Sequence, residues 1–354
     1  MEAWNACKNL LIVRLDNMGD VIMNNAALSE LRDYFPESSL TLLTSSMAAP
    51  ITSFLGSVDH VMLFDTPWMK LEDSDQRASL QQLIAAIKSQ QFDACIIFSV
   101  YSQSSMPAAL IAYLAEIPLR AGYSRENPYH LLTHWYPDPE PLFEIRHQIQ
   151  RDLKLLEIIG IQPDMTRLPS LKKVGHTVPI VRNDLWADFV TAPYHLVHLE
   201  VSETKRQYPA LQARELIQGL LAEGKKIVYT GQQQSPYLDS CIQGISDPNL
   251  LDLRGHTDIA QLLTLIEHAT GVVCVNTSVM HIACAYERPL LALYADSNPQ
   301  HTPWNQQHIQ IIFDVPEQFR SKNQIITYTH FRHQMPITSP SDIPTLLYQY
   351  NSLF

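Results

Sequence analysis

Hydrophobic and polar residues alternate in blocks along this chain, and the blocks predict an α/β fold. In the first half, apolar runs of strand length are separated by segments of helix length. The predicted strands cover 10–15, 40–44, 60–64, 94–100 and 119–123, and the predicted helices cover 21–34, 50–55, 79–90, 107–116 and 148–159. Strands that alternate with helices indicate βαβ units and a parallel sheet.

The alternation stops in a proline-rich stretch and then resumes. Four prolines interrupt it between 162 and 193, which predicts an interdomain linker. Further strands are predicted at 194–201, 226–230, 250–253, 271–275 and 290–294, and helices at 210–223, 258–268, 280–286 and 341–350. We therefore expect two doubly wound, Rossmann-like domains facing a cleft. They cover 1–170 and 194–340, with a linker at 171–193 and a final helix at 341–354.

Length and charge change this picture by excluding some classes of function. The 354 residues exceed one typical core, which agrees with two domains. The net charge of −11 argues against nucleic acid as a partner. No apolar run approaches the ~20 residues that span a bilayer, and no signal-peptide pattern precedes the first strand. We expect a cytoplasmic protein with at most peripheral contact at the inner face of the membrane.

Cysteine and histidine spacing indicates neither disulfides nor a metal site. The five cysteines show no CxxC spacing, which predicts free thiols in a reducing compartment; they are Cys7, Cys95, Cys241, Cys274 and Cys284. The histidine pairs His195/His198 and His330/His333 lack the other ligands of a metal set. Neither GxGxxG nor a P-loop is present, so we expect no cofactor and no metal.

The turn after the first predicted strand carries two carboxylates, Asp16 and Asp20, four residues apart. Ligands of doubly wound sheets bind at the carboxyl ends of the strands. A carboxylate there can accept a proton from a bound hydroxyl group. The alternative is that Asp20 only caps the following helix.

Two segments of the second half are candidate anion sites. A buried strand ends at Asn276, and the following helix would direct its first amides and the hydroxyls of Thr277 and Ser278 at an anion. Lys205 and Arg206 lie in the turn after the domain's first strand and could neutralise a diphosphate. The alternatives are an N-cap role for Ser278 and a solvated loop for the basic pair.

Four motifs, in order along nearly the whole chain, resemble glycosyltransferase family 9, which contains the ADP-heptose:lipopolysaccharide heptosyltransferases. The first is the Gly-Asp pair of 14–21, and the second is the basic, aromatic and proline pattern of 204–209. The third is the Asn-Thr-Ser-x-x-His-x-Ala run of 276–283, and the fourth is the loop at 294–299 with Trp304.

The resemblance implies a GT-B fold, with the acceptor in the first domain and the nucleotide sugar in the second. It implies an inverting, metal-independent transfer of heptose from ADP-heptose to a glycan or lipid-linked glycan such as the lipopolysaccharide inner core. The family's catalytic base falls on Asp20, and its diphosphate contacts fall on Lys205, Arg206, Thr277, Ser278 and His281. Asn276, Met280 and Asp296 fall near the donor sugar or nucleotide. The final helix is expected to cross back to the first domain.

Departures from the family pattern leave the donor open. Position 276 is Asn where the family usually has Asp, and Asp296 is an additional carboxylate. The acceptor candidates are Asp16, Arg120, Arg125 and His147, although the two arginines could equally be ordinary surface residues.

Alternative functions are transfer to a protein or small-molecule acceptor, a nucleotide-sugar epimerase, and a non-catalytic protein that binds nucleotide sugars.

Overall fold

The computed structural model describes residues 2–66, 76–174, 189–319 and 342–354. The chain divides into two compact units, Met1–Lys172 and Lys173–Phe354. Part of the predicted linker (175–188) and the end of the predicted second domain (320–340) lie outside the described residues. His330 and His333 also lie there, as does the first residue of the predicted final helix.

The first unit is built on a sheet of six parallel strands. They are β1 (Asn9–Arg14), β2 (Ser39–Thr44), β3 (His60–Leu63), β4 (Ala94–Ile97), β5 (Leu119–Ser124) and β6 (His134–Pro137). The α-helices described in this unit are α1 (Glu2–Asn5), α2 (Met18–Tyr34), α3 (Ala49–Thr52), α4 (Gln76–Ser89), α5 (Met106–Leu114) and α6 (Gln148–Leu155). The order β3-β2-β1-β4-β5-β6 places the topological switch point between β1 and β4.

The second unit repeats this topology. Its strands are β7 (His195–His198), β8 (Ile227–Thr230), β9 (Leu250–Asp252), β10 (Gly271–Val275), β11 (Leu290–Ala295) and β12 (His308–Phe313). Its α-helices are α7 (Ala210–Ala222), α8 (Pro236–Ile242), α9 (Ile259–His268), α10 (Ser278–Ala285) and α11 (Ile343–Asn351). The order β12-β11-β10-β7-β8-β9 is also parallel throughout, with the switch point between β7 and β10.

The central strands explain why the apolar pattern predicted this fold. Leu10, Leu11, Ile12 and Val13 of β1 are all buried, and so is every residue of β10. When both faces of a strand are covered, its residues form a continuous apolar run in the sequence, which is typical of parallel sheets. The expected α/β class with two doubly wound sheets is confirmed.

Four elements were absent from the sequence prediction: strands β6 and β12 and the short helices α1 and α8. Strands β6 and β12 lie at the sheet edges, where buried and exposed residues mix, and they lack the apolar runs of the central strands. Helix α8 is only seven residues long. Helix α2 also begins earlier than predicted, at Met18, so Asn17 is its N-cap residue and Asp20 lies in its first turn.

The final helix, α11, packs against α7 within the second unit. Its expected crossing to the first domain stays a prediction. Gly219 of α7 allows the close approach, because an added Cβ would lie 2.5 Å from a Leu347 methyl group. The Tyr350 hydroxyl lies 2.8 Å from His195 Nδ1, and Asn351 Nδ2 donates to Glu223 at 3.1 Å.

Candidate active site

A buried arginine organises the turn after β1. The Arg14 side chain is fully buried, and its guanidinium contacts three carboxylates: Asp16 at 3.0 Å, Asp20 at 3.3 Å and Asp152 at 3.5 Å. Asp16 and Asp20 are 4% and 7% exposed. The backbone amide of Asn17 also donates to the Asp20 carboxylate at 3.2 Å. The Arg14 guanidinium therefore pairs with both of the carboxylates that the sequence analysis identified as candidates.

This cluster has more negative than positive charge when its carboxyl groups are ionised. Burial raises the pKa of Asp16 from 3.8 to about 6, against the opposing effect of Arg14, and the charges of Asp20 and Asp152 raise it further. Burial also raises the pKa of Asp152. For Arg14, burial alone would lower the pKa, but the three carboxylates raise it. Asp16 is thus a basic carboxylate, suited to accepting a hydrogen bond from a hydroxyl group.

Helix α6 supplies a part of the cluster that sequence reasoning missed. Asp152 accepts hydrogen bonds from Asn24 at 2.9 Å and from Gln148 at 2.7 Å. Arg151, one residue earlier, pairs with Asp138 at 2.8 Å and with Glu140. Gln148, Arg151 and Asp152 share one helical face at spacings of three and four. That pattern was available in the sequence, but nothing in it indicated that this face is buried.

A small cavity of about 30 Å³ lies beside Asp16 in the first unit. It lies at the switch point, because its wall includes Val13 and Leu15 around the end of β1 and Ile97 at the end of β4. The loop after β4 contributes polar groups that sequence reasoning also missed, among them Ser99 and Gln103. Ligands of doubly wound sheets bind at this kind of edge.

The structure gives two of the acceptor candidates, Arg120 and His147, structural roles. The Arg120 guanidinium is not available to a ligand, because it donates to the carbonyl oxygens of Leu131 at 2.8 Å, His130 at 2.6 Å and Ile117. That prediction was wrong. His147 is the N-cap of α6, and its Nδ1 accepts from the amide of Ile149 at 3.3 Å.

Arg125 stays a candidate. Its side chain is 35% exposed and lies 3.6 Å from Asp138.

In the second unit, both predicted anion-binding segments follow the strands at the switch point. Thr204–Arg206 forms a short 3-10 turn after β7, and the run from Asn276 to Ser278 follows β10. Because β7 and β10 are paired neighbours in the sheet, their carboxyl ends are adjacent. The fold therefore brings the two segments to one edge of the second unit.

The adjacent cations Lys205 and Arg206 are not equivalent. Lys205 Nζ pairs with Glu203 at 2.6 Å. Arg206 has no ion pair within the part of the chain that the structure describes, and its Nε is buried without a hydrogen-bond partner. A guanidinium in that state is prepared for an anionic ligand.

The start of α10 offers further donors. Thr277 is the N-cap residue, with extended backbone, and its Oγ1 is buried without a hydrogen-bond partner among the described residues. The first amides of the helix have no partner inside it, as at any helix N-terminus. Ser278 is partly buried at this end. His281 is 5% exposed, and its ring stacks on Trp304 at a centroid distance of 5.2 Å.

The three residues expected near the donor sugar differ in their burial and in their hydrogen bonds. Asn276 holds the end of β11, because its Nδ2 donates to Ser297 Oγ at 3.2 Å and its Oδ1 accepts from the amide of Ala295 at 3.4 Å. Asp296, in the same loop, is partly buried. Met280 is 0% exposed, so its side chain lies in the core of this unit, and its position near the donor stays a prediction.

Three further polar residues lie in β7 or just after it. Glu200, which sequence reasoning missed, accepts from the amide of Gln232 at 2.7 Å, and burial raises its pKa. His195 and His198 make hydrogen bonds within the unit: His195 to Tyr350, and His198 Nδ1 to Thr230 Oγ1 at 3.0 Å. Burial lowers the pKa of each of these histidines to about 4.

Comparisons with known proteins identify the family. The model of glycosyltransferase family 9 (heptosyltransferase) matches residues 80–327, more than half of the chain. Lipooligosaccharide heptosyltransferase 2 of Haemophilus influenzae is 22% identical over 308 residues, which cover 83% of this chain and 85% of that protein.

Two solved structures share the fold over nearly the whole chain. A family 9 glycosyl transferase from Veillonella parvula matches with a TM-score of 0.73 and 15% identity, covering 98% of this chain and 97% of that one. The E. coli ADP-heptose lps heptosyltransferase II matches with a TM-score of 0.72 and 19% identity, covering 98% of each chain. The two doubly wound sheets are those of the GT-B fold, and this chain is an enzyme that belongs to glycosyltransferase family 9.

Proposed function

We propose that this glycosyltransferase moves a heptose from ADP-heptose to a hydroxyl group of a glycan such as the lipopolysaccharide inner core. The observation that carries the proposal is the chemistry at the two switch points. The first unit has a carboxylate cluster on Arg14. The second has a helix N-terminus and Arg206, which forms no ion pair with the described residues. The heptose and the lipopolysaccharide are inferred from the names of the relatives.

Arg206 and the start of α10 would hold the diphosphate of the donor. A guanidinium can bind two phosphate oxygens at once, and the amides of Ser278 and Val279 add donors without charge. Thr277 Oγ1 would gain the partner that it lacks. These groups also stabilise the charge that develops on the departing diphosphate, so the proposed reaction needs no metal.

In the proposed reaction Asp20 is the general base. The acceptor hydroxyl gives its proton to the Asp20 carboxylate while its oxygen attacks the anomeric carbon of the heptose. The bond between that carbon and the phosphate oxygen breaks, and its electron pair leaves with ADP. A single displacement from the opposite face inverts the anomeric configuration. General-base assistance of this kind contributes roughly 10²–10⁴-fold.

The proposal includes a cytoplasmic location, with contact to the membrane that is at most peripheral. Its support is that all five cysteines are free and buried, as in proteins of reducing compartments. Among the described residues, no helix combines the length and the apolar character needed to cross a bilayer.

Calorimetric titration with ADP, UDP and GDP tests the donor assignment. We expect ADP to bind most tightly and Arg206→Ala to weaken it about 10–100-fold, the range of a lost charged hydrogen bond. Lys205→Ala is the matched control and should have a smaller effect, because Lys205 is already paired with Glu203. Failure of the folded protein to bind any of the three nucleotides would refute the assignment.

A further inference from the structure

One carboxylate of the second unit is used only in part by the fold. Glu200 lies two residues after β7, at the carboxyl edge of the sheet, and is partly buried. Its Oε2 accepts a hydrogen bond from the backbone amide of Gln232 at 2.7 Å, and it forms no ion pair with the described residues. A carboxylate can accept about four hydrogen bonds. Most of its accepting capacity, including that of Oε1, is therefore open to a ligand.

Gly231 shows on which side of β7 the Glu200 side chain lies. A Cβ added to Gly231, at the end of β8, would be 3.4 Å from Glu200 Oε2 and 3.7 Å from Glu200 Cβ. The carboxylate therefore lies along the turn after β8, a paired neighbour of β7. The Gly231 carbonyl accepts from the amide of Gly255 at 2.7 Å, which fixes this turn to the loop after β9. Glu200 is thus on the β8 side of β7, away from β10.

Two ordinary roles of an acidic side chain do not apply to Glu200. It caps neither of the next two helices, because α7 and α8 begin after Pro209 and Ser235. It also balances no cation among the residues that the structure describes. Direct contact with a phosphate group would be repulsive, because both groups are negative. A neutral hydrogen-bond donor, such as a hydroxyl group, fits this carboxylate best.

The proposed diphosphate site leaves two directions in which a nucleotide sugar can extend. Arg206 follows β7 and Thr277 follows β10, so the diphosphate would lie at the ends of these two strands. Asn276 and Asp296, which are expected near the donor sugar, follow β10 and β11. The other direction crosses the end of β8. The nucleoside would therefore extend toward Glu200.

A ribonucleoside offers the hydroxyl groups that this carboxylate can bind. Its C2′ and C3′ hydroxyls are neighbours, and one carboxylate can accept from both. In doubly wound folds that bind dinucleotides, an acidic residue near the end of the second strand accepts from the ribose 2′-hydroxyl. The second strand of this unit is β8, and the Gln232 amide holds the Glu200 carboxylate at its end. Partial burial strengthens such hydrogen bonds relative to those of an exposed carboxylate.

We infer that Glu200 binds the ribose diol of the donor nucleotide and makes the site selective for ribonucleotides over deoxyribonucleotides. The place of the diphosphate in this inference rests on the proposed function. The identity of the base does not enter, because ADP, UDP and GDP carry the same ribose.

Calorimetric titration of the full-length protein with ADP, 2′-deoxy-ADP and 3′-deoxy-ADP tests the inference. We expect the wild type to bind ADP at least about 10-fold more tightly than each deoxynucleotide, because a hydrogen bond to a charged group is lost. Equal affinities for the three nucleotides would overturn the inference.

Glu200→Gln isolates the contribution of the charge. Glutamine has the same shape and keeps an oxygen for the Gln232 amide, but it is neutral. The preference for ADP over the deoxynucleotides should fall at least several-fold, whereas the affinity for inorganic pyrophosphate, which has no ribose, should stay the same or rise. Glu203→Gln is the matched control from the same loop, where Glu203 pairs with Lys205 at 2.6 Å, and it should keep the preference.

Two results for Glu200→Gln would overturn the inference. One is a preference for ADP over the deoxynucleotides that equals the wild-type value. The other is a loss of pyrophosphate affinity as large as the loss of ADP affinity, since that result would show a purely structural role.

Comparisons among ligands distinguish this inference from the proposed function. If ADP and pyrophosphate bind but the deoxynucleotides bind as tightly as ADP, the inference fails and the donor assignment stands. If UDP or GDP binds more tightly than ADP while a ribose preference that depends on Glu200 remains, the ADP assignment fails and the inference stands. If Glu200→Gln weakens ADP-heptose relative to ADP and leaves the ribose preference intact, the carboxylate binds the heptose and the inference is overturned.

Discussion

Asp16→Asn should make the protein more stable while it impairs acceptor binding. Asp16 is 4% exposed, and burial is the largest cause of its raised pKa. Asparagine has nearly the same shape as the protonated carboxyl group but cannot ionise. The substitution therefore removes the unfavourable free energy of a buried negative charge that lies next to two other carboxylates.

The size of the effect follows from the pKa. A shift from 3.8 in an unfolded chain to about 6 in the folded protein corresponds to about 3 kcal/mol. Because the folded pKa is the higher one, the folded state binds this proton more tightly. The stabilisation from that proton is complete below pH 3.8 and is lost as the pH rises through 6. Asp16→Asn should thus raise the free energy of unfolding by about 3 kcal/mol at pH 8 and by roughly half of that at pH 5.

Urea denaturation at pH 5 and pH 8 measures this difference, with Ser102→Ala as a control that should not change with pH. An increase in the free energy of unfolding at pH 8 that is smaller at pH 5 supports the reasoning. A loss of stability at pH 8 would refute it, because the ion pair of Asp16 with Arg14 would then outweigh the cost of burial.

Three other substitutions test the packing and the corrected assignments. Arg14→Met should destabilise the protein by about 3–5 kcal/mol at pH 8 in urea denaturation, since it leaves buried carboxylates without their cation, and less at pH 5; an unchanged midpoint would contradict the cluster. Arg120→Ala should lower the free energy of unfolding by about 1–3 kcal/mol in the same assay, because carbonyl oxygens lose their donor, yet leave the affinity for ADP unchanged. Gly219→Val should lower thermal stability by about 1–3 kcal/mol through overpacking against Leu347, and Leu347→Ala in the same chain should recover part of it; no recovery would argue against the close packing of α11 on α7.

The sequence predicted the central strands well because their burial leaves a continuous apolar pattern. β1 and β10 were predicted within a residue of their observed ends. The edge strands β6 and β12 were missed, since an edge strand tolerates polar residues such as His134 and Gln310. The start of α2 was misplaced because Asn17, not Asp20, is its N-cap residue.

The site was predictable where its residues are close in the sequence. Asp16 and Asp20 share one turn, so their proximity could be inferred. Asp152 comes to Arg14 only through the packing of α6 on α2, which no local pattern encodes. Arg120 was misjudged for a related reason: the carbonyl oxygens that occupy its guanidinium come from a loop whose path is set by the fold.

In the proposed reaction the first unit supplies the general base and the second unit supplies the donor site. The most direct test measures ADP-heptose binding and heptose transfer to a heptose-terminated core oligosaccharide for wild type and Asp20→Asn. We predict donor affinity within about twofold of wild type and transfer slowed roughly 10²–10⁴-fold, the range for a lost general base. Transfer at the wild-type rate, or a loss of donor affinity as large as the loss of transfer, would contradict the claim.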